Sequence, residues 1–116
     1  MIWRIRERDV FRRLSKEGRR ARAGVLWCSY LHDPSISPPQ VAFAIGRAVG
    51  PAVVRNRCRR RLRVLLGAAG LPPGWYLVGG KPDIAERSFN DLERDVAALV
   101  ASIGRSTPAA LPRTSN

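Results

Sequence analysis

Six arginines stand within nine residues of the stretch 50–66, GPAVVRNRCRRRLRVLL: Arg55, Arg57, Arg59, Arg60, Arg61 and Arg63. A guanidinium grips phosphate oxygens in pairs and stacks on bases, so this density points to polyanion chemistry. Val54, Cys58, Leu62, Leu65 and Leu66 thread the run at helical spacing and make one apolar face. The arginines and Asn56 fill the rest, and Pro51 suits a first helical position. Such a helix works against its own stability. Pairs 55/59, 57/61 and 59/63 set like charges one turn apart. Arg55 and Arg57 crowd the positive end of the macrodipole, and no acid from 51 to 80 relieves them. A solvated surface normally mixes signs, so a one-signed face of this extent reads as a binding face.

Other chemistry is sparse. A protein nuclease needs a paired general acid and base, or clustered carboxylates. The basic first half holds only Glu7, Asp9, Glu17, Asp33 and His32, spread over separate turns and a loop. We assign no catalytic residue and no metal ligand. Cys28 and Cys58 make no disulfide framework, and Cys58 reads as a small core residue. His32 reads as a loop or strand-end residue, and Asp91, Glu93 and Asp95, interleaved with Arg94, read as a solvated helix face.

Charge locates the partner. The chain of 116 residues carries a formal +12, and residues 1–63 account for all of it, with 16 Lys+Arg against 4 Asp+Glu. Arginine supplies 19 of the 21 cations, which favours RNA. The N-terminal MIWRIRERD lacks the apolar core of a secretory signal, and no run approaches a membrane span. A reducing, cytoplasmic setting is expected. A membrane surface is disfavoured because the basic helix lacks interfacial aromatics.

The elements that must position the arginines follow in order. Residues 1–8 read as an extended arm with Trp3 and Ile5 tucked against the body. Residues 9–17 read as a helix capped by Asp9 and ended by Gly18. VLWCSYL (25–31) and VAFAIG (41–46) read as strands around a proline-rich loop. Small Ala42, Ala44 and Gly46 leave room on one strand face. WYLV (75–78) reads as a short strand and 79–87 as a loop. Ser88 caps a last helix whose apolar positions are Phe89, Leu92, Val96, Leu99, Val100 and Ile103. Residues 104–116 read as a disordered tail. This is an α/β (α+β) single domain spanning 9–103, with a small mixed sheet packed by helices.

AVVRNRCRRRLR (52–63) closely resembles the RNR signature of bacterial ribonuclease P protein subunits. The context agrees: a Phe-containing helix ending at Gly18, a strand, a proline-rich loop, VAFAIGRAVG ahead of the signature, and a terminal amphipathic helix. The likeness covers roughly residues 4–103. It implies an α-β-β-β-α-β-α order with a first strand near 19–23. It also implies a left-handed crossover through the arginine helix, where general rules predict a right-handed one. Members of the family bind a large catalytic RNA through the RNR helix. They also bind the 5′ leader of precursor tRNA in a cleft between the sheet and the N-terminal helix. The RNA performs the Mg²⁺-dependent hydrolysis and holds most of the Mg²⁺.

By position, Arg55, Asn56, Arg57, Arg59, Arg60 and Arg63 match the signature, Arg61 belongs to the same run, and Arg47 matches a basic position in the preceding turn. Phe11 matches an aromatic of the leader cleft, with Arg12 and Ser15 beside it. Ser15 stands where a second aromatic is frequent, Pro51 where Asn is usual and Gly46 where Ser is common. The cleft residue of the strand is Ser29 or, with a one-residue shift, Tyr30. The alternative for Phe11 is a core position at the helix–sheet seam. A ribosomal or other structural RNA-binding protein is the second functional reading. A DNA-binding regulator is third and no DNA partner is expected, because arginines with one Asn suit phosphate contact more than base readout.

Overall fold

The computed structural model describes residues 1–105, so the 104–116 tail lies outside the described residues except for Gly104 and Arg105, which close the last helix. Five strands, β1 (Trp3–Arg4), β2 (Arg19–Ala23), β3 (Leu26–His32), β4 (Gln40–Ala44) and β5 (Gly74–Gly80), form one mixed sheet in the order β1-β4-β5-β3-β2. Three helices pack on it: α1 (Arg8–Glu17), α2 (Ala52–Gly67) and α3 (Phe89–Arg105). Parallel neighbours β4 and β5 are joined through α2, while β3 runs antiparallel to both β5 and β2.

Alternation along the strands divides the sheet into two faces. Cys28, Tyr30, Val41, Tyr76 and Val78 point to the main core, where Cys58, Leu62 and Leu66 of α2 and Leu92, Val96, Leu99 and Ile103 of α3 meet them. The opposite face carries a smaller cluster, in which Ile5, Val10, Leu14 and Trp75 pack with Leu31, Ala42 and Leu77 under α1. Burial pushes the Cys28 thiol up to about 12, so it stays a protonated core group.

Several local expectations need correction. The arm is not free: Trp3 and Arg4 pair in parallel with Gln40 and Val41, adding an edge strand to the expected order. Ile5 is buried as expected, but Trp3 is 57% exposed, because the pairing turns the indole outward. Helix α1 starts one residue earlier than read, and Asp9 caps nothing: it lies inside the first turn and accepts a hydrogen bond from Arg12 at 2.6 Å. Gly18 does end α1, but with extended backbone at φ −66°. Glycine is required there because a Cβ would collide with the Leu14 carbonyl oxygen and Ser29 Oγ. Pro51 sits one position before the first helical residue of α2. The segment 79–87 is not all loop: Gly79 and Gly80 complete β5, and Pro82–Glu86 is a short 3₁₀ helix.

The last helix holds the largest surprise. Ser88 caps it as read, its Oγ accepting the Asp91 N–H at 3.1 Å. Asp95, however, is 6% exposed rather than solvated. Its carboxylate accepts two bonds from Arg87, at 2.9 and 3.0 Å, and a longer one from the Val25 N–H. Gly24 at φ +57° supplies the turn above it, where any Cβ would meet the carboxylate. The bidentate ion pair ties the segment before α3 to the helix, and the Val25 N–H bond links the β2–β3 turn to the same carboxylate. Phe89, read as part of the apolar stripe, is 42% exposed at the helix start.

Candidate nucleic-acid interface

Helix α2 presents its stripe as expected: Cys58, Leu62, Leu65 and Leu66 are buried and Val54 is half-buried. The arginines are then sorted by what lies beside them. Arg55 Nε donates to the Gly50 carbonyl at 3.1 Å, and Arg59 donates to the Ile45 carbonyl at 3.2 Å and to Asn56 Oδ1 at 2.9 Å. On the other flank, Arg57 and Arg61, one turn apart, donate to the Ala85 and Arg87 carbonyls, each at 3.2 Å. Backbone carbonyls of the turn before α2 and of the segment that follows β5 thus take the place of the missing acids. They spread the like charges and leave each guanidinium most of its donors. Arg60 and Arg63 project outward and are exposed, as is Asn56. Arg63 lies over the Phe43 ring at 5.7 Å. Arg47 is exposed in the 3₁₀ turn Arg47–Val49 that leads into the helix.

The α1 side of the sheet is the second candidate surface. Phe11 is 40% exposed, on the flank of α1 shared with Ser15, and belongs to neither core cluster. That removes the core alternative for it. Arg12 and Ser15 are exposed, with Arg12 paired to Asp9 in solvent. Neither alternative for the strand position offers a surface. Ser29 is buried beneath α1, where its hydroxyl donates to the Leu14 carbonyl at 2.9 Å. Tyr30 is 1% exposed on the opposite face, opposite Tyr76 in register. Both leave the candidate set, Ser29 as a strut for α1 and Tyr30 as core. His32 closes β3 with its ring edge-on to Tyr30 at 5.1 Å, and burial lowers its pKa.

What the sequence reading missed lies two residues from Ser29. Trp27 shares the Ser29 face, and its indole lies over Gly79, where a Cβ would strike the ring. Register aligns Arg22, Trp27, Gly79 and Ala44 in one row across four strands, with Arg20 on the same face one row along. The result is a half-exposed aromatic flanked by two exposed arginines over small residues. Alternation along 25–31 already put Trp27 on the Ser29 face. RRARA has little strand propensity, so only the family resemblance pointed to a strand near 19–23, and the pairing with β3 then fixed the face of Arg20 and Arg22.

Elsewhere the acids stay apart: Asp33 is turned back onto the Ser35 N–H and hydroxyl at 2.9 and 2.7 Å, which lower its pKa. Among the described residues no three His, Cys, Asp or Glu side chains converge to hold a metal ion. No helix among them is long and apolar enough to cross a membrane.

The ribonuclease P family model matches residues 2–104. This chain belongs to the ribonuclease P protein family. The ribonuclease P protein component of Beutenbergia cavernae is 38% identical over 104 residues, covering 87% of each chain. That of Thermus brockianus is 35% identical over 95 residues, and the match spans only 56% of that longer protein. Among solved structures, the ribonuclease P protein of Staphylococcus aureus superposes with a TM-score of 0.75 at 16% identity, covering 89% of this chain and 95% of that one. The Thermotoga maritima protein gives 0.75 at 19% identity, covering 85% and 96%. These two show the shared fold. Membership makes this chain an RNA-binding protein component of a ribonucleoprotein enzyme of tRNA processing.

Proposed function

We propose that this chain binds the catalytic RNA of ribonuclease P through α2 and the 5′ leader of precursor tRNA through the α1 side of the sheet. The observation that carries the reading is the pairing of two basic surfaces on opposite sheet faces of one small body. One is a helix with six arginines and no acid, suited to phosphates. The other sets Phe11 near α1's exposed flank and Trp27 among arginines and small residues, suited to unstacked bases. Each arginine set lowers repulsion between two polyanions, so the protein acts by electrostatic relief and substrate positioning. The described acids are dispersed, so hydrolysis belongs to the RNA, whose phosphates hold the Mg²⁺. The setting is cytoplasmic.

Three parallel reactions on precursor tRNA test this: protein alone, ribonuclease P RNA alone, and both, at low and high Mg²⁺. Cleavage at the mature 5′ end is expected from RNA at high Mg²⁺ and from the pair at low Mg²⁺. Cleavage by protein alone, lost when Asp33 or His32 is replaced, would overturn the assignment of chemistry.

Phe11→Ala and Trp27→Ala each remove one stacking surface, worth roughly 1–3 kcal/mol per base. Binding of precursor tRNA by the assembled enzyme should weaken about 5- to 100-fold, while mature tRNA, which lacks the leader, binds as before. Equal losses on both substrates would place these rings outside the leader path.

A further inference from the structure

The N-terminal strand and helix α2 border one open cleft of about 500 Å³ at the β1 edge of the sheet. Strand β1 pairs only with Gln40 and Val41, so residues 42–44 of β4 have no strand beside them on that edge. Alternation and register decide which side chains of the arm stand on the α2 face. Arg4 lies opposite Val41, which points to the main core, and Ile2 packs against that core. Trp3 and Ile5 turn the other way, and Ile5 is buried in the cluster under α1. Ile2 and Ile5 thus anchor the arm on both sheet faces and hold Arg4 on the side of α2. Phe43 shares that face, being aligned with Val78. Arg4, Phe43, Arg59 and Arg63 all line the cleft, and the lining contains no acid. Arg59 is oriented by Asn56 Oδ1 and the Ile45 carbonyl, and Arg63 lies over the Phe43 ring at 5.7 Å. Arg4 is exposed and makes no ion pair among the described residues.

We infer that Arg4, Arg59 and Arg63 together hold one backbone phosphate of the RNA bound by α2, which makes the N-terminal strand part of that interface. The inference rests on the RNA-binding reading of α2 and extends it to a second element of the fold. Three guanidiniums at one opening repel one another, and no carboxylate of the lining offsets this. A phosphate offers each of them an oxygen and cancels part of the repulsion. The Phe43 ring attracts the Arg63 guanidinium without using any of its N–H donors, which stay available to the ligand. Arg59 likewise spends only two of its donors within the protein. The cleft is open along the uncovered edge of β4, so it admits a phosphate within a continuous chain. Arg4 approaches from the sheet and the other two from the helix, so the RNA strand continues from α2 past the β1 edge.

The test uses the whole protein and ribonuclease P RNA across a salt series. Arg4→Gln should weaken binding about tenfold at low salt and flatten the slope of log K against log salt by roughly one unit. Arg4→Lys should restore the slope. Trp3→Arg combined with Arg4→Gln keeps the net charge but moves the guanidinium to the α1 face, and it should bind nearly as weakly as Arg4→Gln alone. Arg4 and Arg63 share one phosphate, so Arg4→Gln with Arg63→Gln should lose less than the product of the single losses. Arg4→Gln with Arg60→Gln should lose the full product. Thermal melting of each free variant reports folding separately. Unchanged affinity and slope in a folded Arg4→Gln protein would overturn the inference while leaving α2 as the RNA-binding helix. So would full restoration by the relocated arginine, a full product of losses with Arg63→Gln, or a loss confined to precursor tRNA binding by the assembled enzyme. Absence of salt-dependent RNA binding by wild type would overturn the reading of α2, and this one with it.

Discussion

Arg57→Ala with Arg60→Ala should weaken binding to ribonuclease P RNA roughly 100-fold at low salt, taking about 1.5 kcal/mol for each charge-assisted contact. The same double variant should change the salt dependence. About six phosphate contacts give a slope of log K against log salt of roughly −4 to −5, and removing two should flatten it by one to two units. Arg60 is free in solvent, and Arg57 spends one of its five donors on the Ala85 carbonyl, so the fold should survive. Binding across a salt series, with thermal melting as control, decides the matter. A folded double variant with the wild-type slope would show that the RNA docks elsewhere. Lysine at both positions should restore most of the slope, which counts charges, and less of the affinity, which depends on the planar fork.

Leu62→Ala should act in the opposite sense, on stability and not on the interface. Leu62 is 0% exposed on the face of α2 opposite Arg60's side of the helix, in contact with the main core. Truncating a buried leucine costs about 2–5 kcal/mol through lost transfer energy and the cavity left behind. For a domain of this size the melting temperature should fall by roughly 10–15 °C. Below the transition, RNA affinity and salt slope should match wild type, because every guanidinium keeps its position. Scanning calorimetry of the free protein and RNA titration at low temperature separate the two effects. A variant that melts normally would show that the α2 contact can repack. One that stays folded yet loses RNA would show that the core sets the helix's pose.

These two variants also divide what each level of organisation decides. The arginine helix was readable from residues alone, because helical periodicity is local: Val54, Cys58, Leu62, Leu65 and Leu66 mark the buried side wherever the helix packs. One-signed charge is likewise a property of composition, so the class of partner could be read before any fold. The Ser88 cap and the apolar positions Leu92 to Ile103 of α3 follow the same logic. The strand containing Trp27 could be found by composition, and its alternation by counting.

Tertiary structure decided what depends on neighbours distant in sequence. Nothing local says that Arg57 and Arg61 will meet carbonyls 28 and 26 residues away, or that these replace the missing acids. Asp95 looked solvated among Glu93 and Arg94, yet Arg87 and the Val25 N–H draw it inward, since a carboxylate can be buried only where donors converge. RRARA became a strand because β3 offered an edge, a pairing that propensity does not encode. Register then set Arg22 beside Trp27 and placed Tyr30 opposite Tyr76, assigning one aromatic to the surface and the other to the core. A shift of one residue would have exchanged them, because side chains alternate with period two along a strand. The sheet's hydrogen bonds settle that choice, and no single strand contains them.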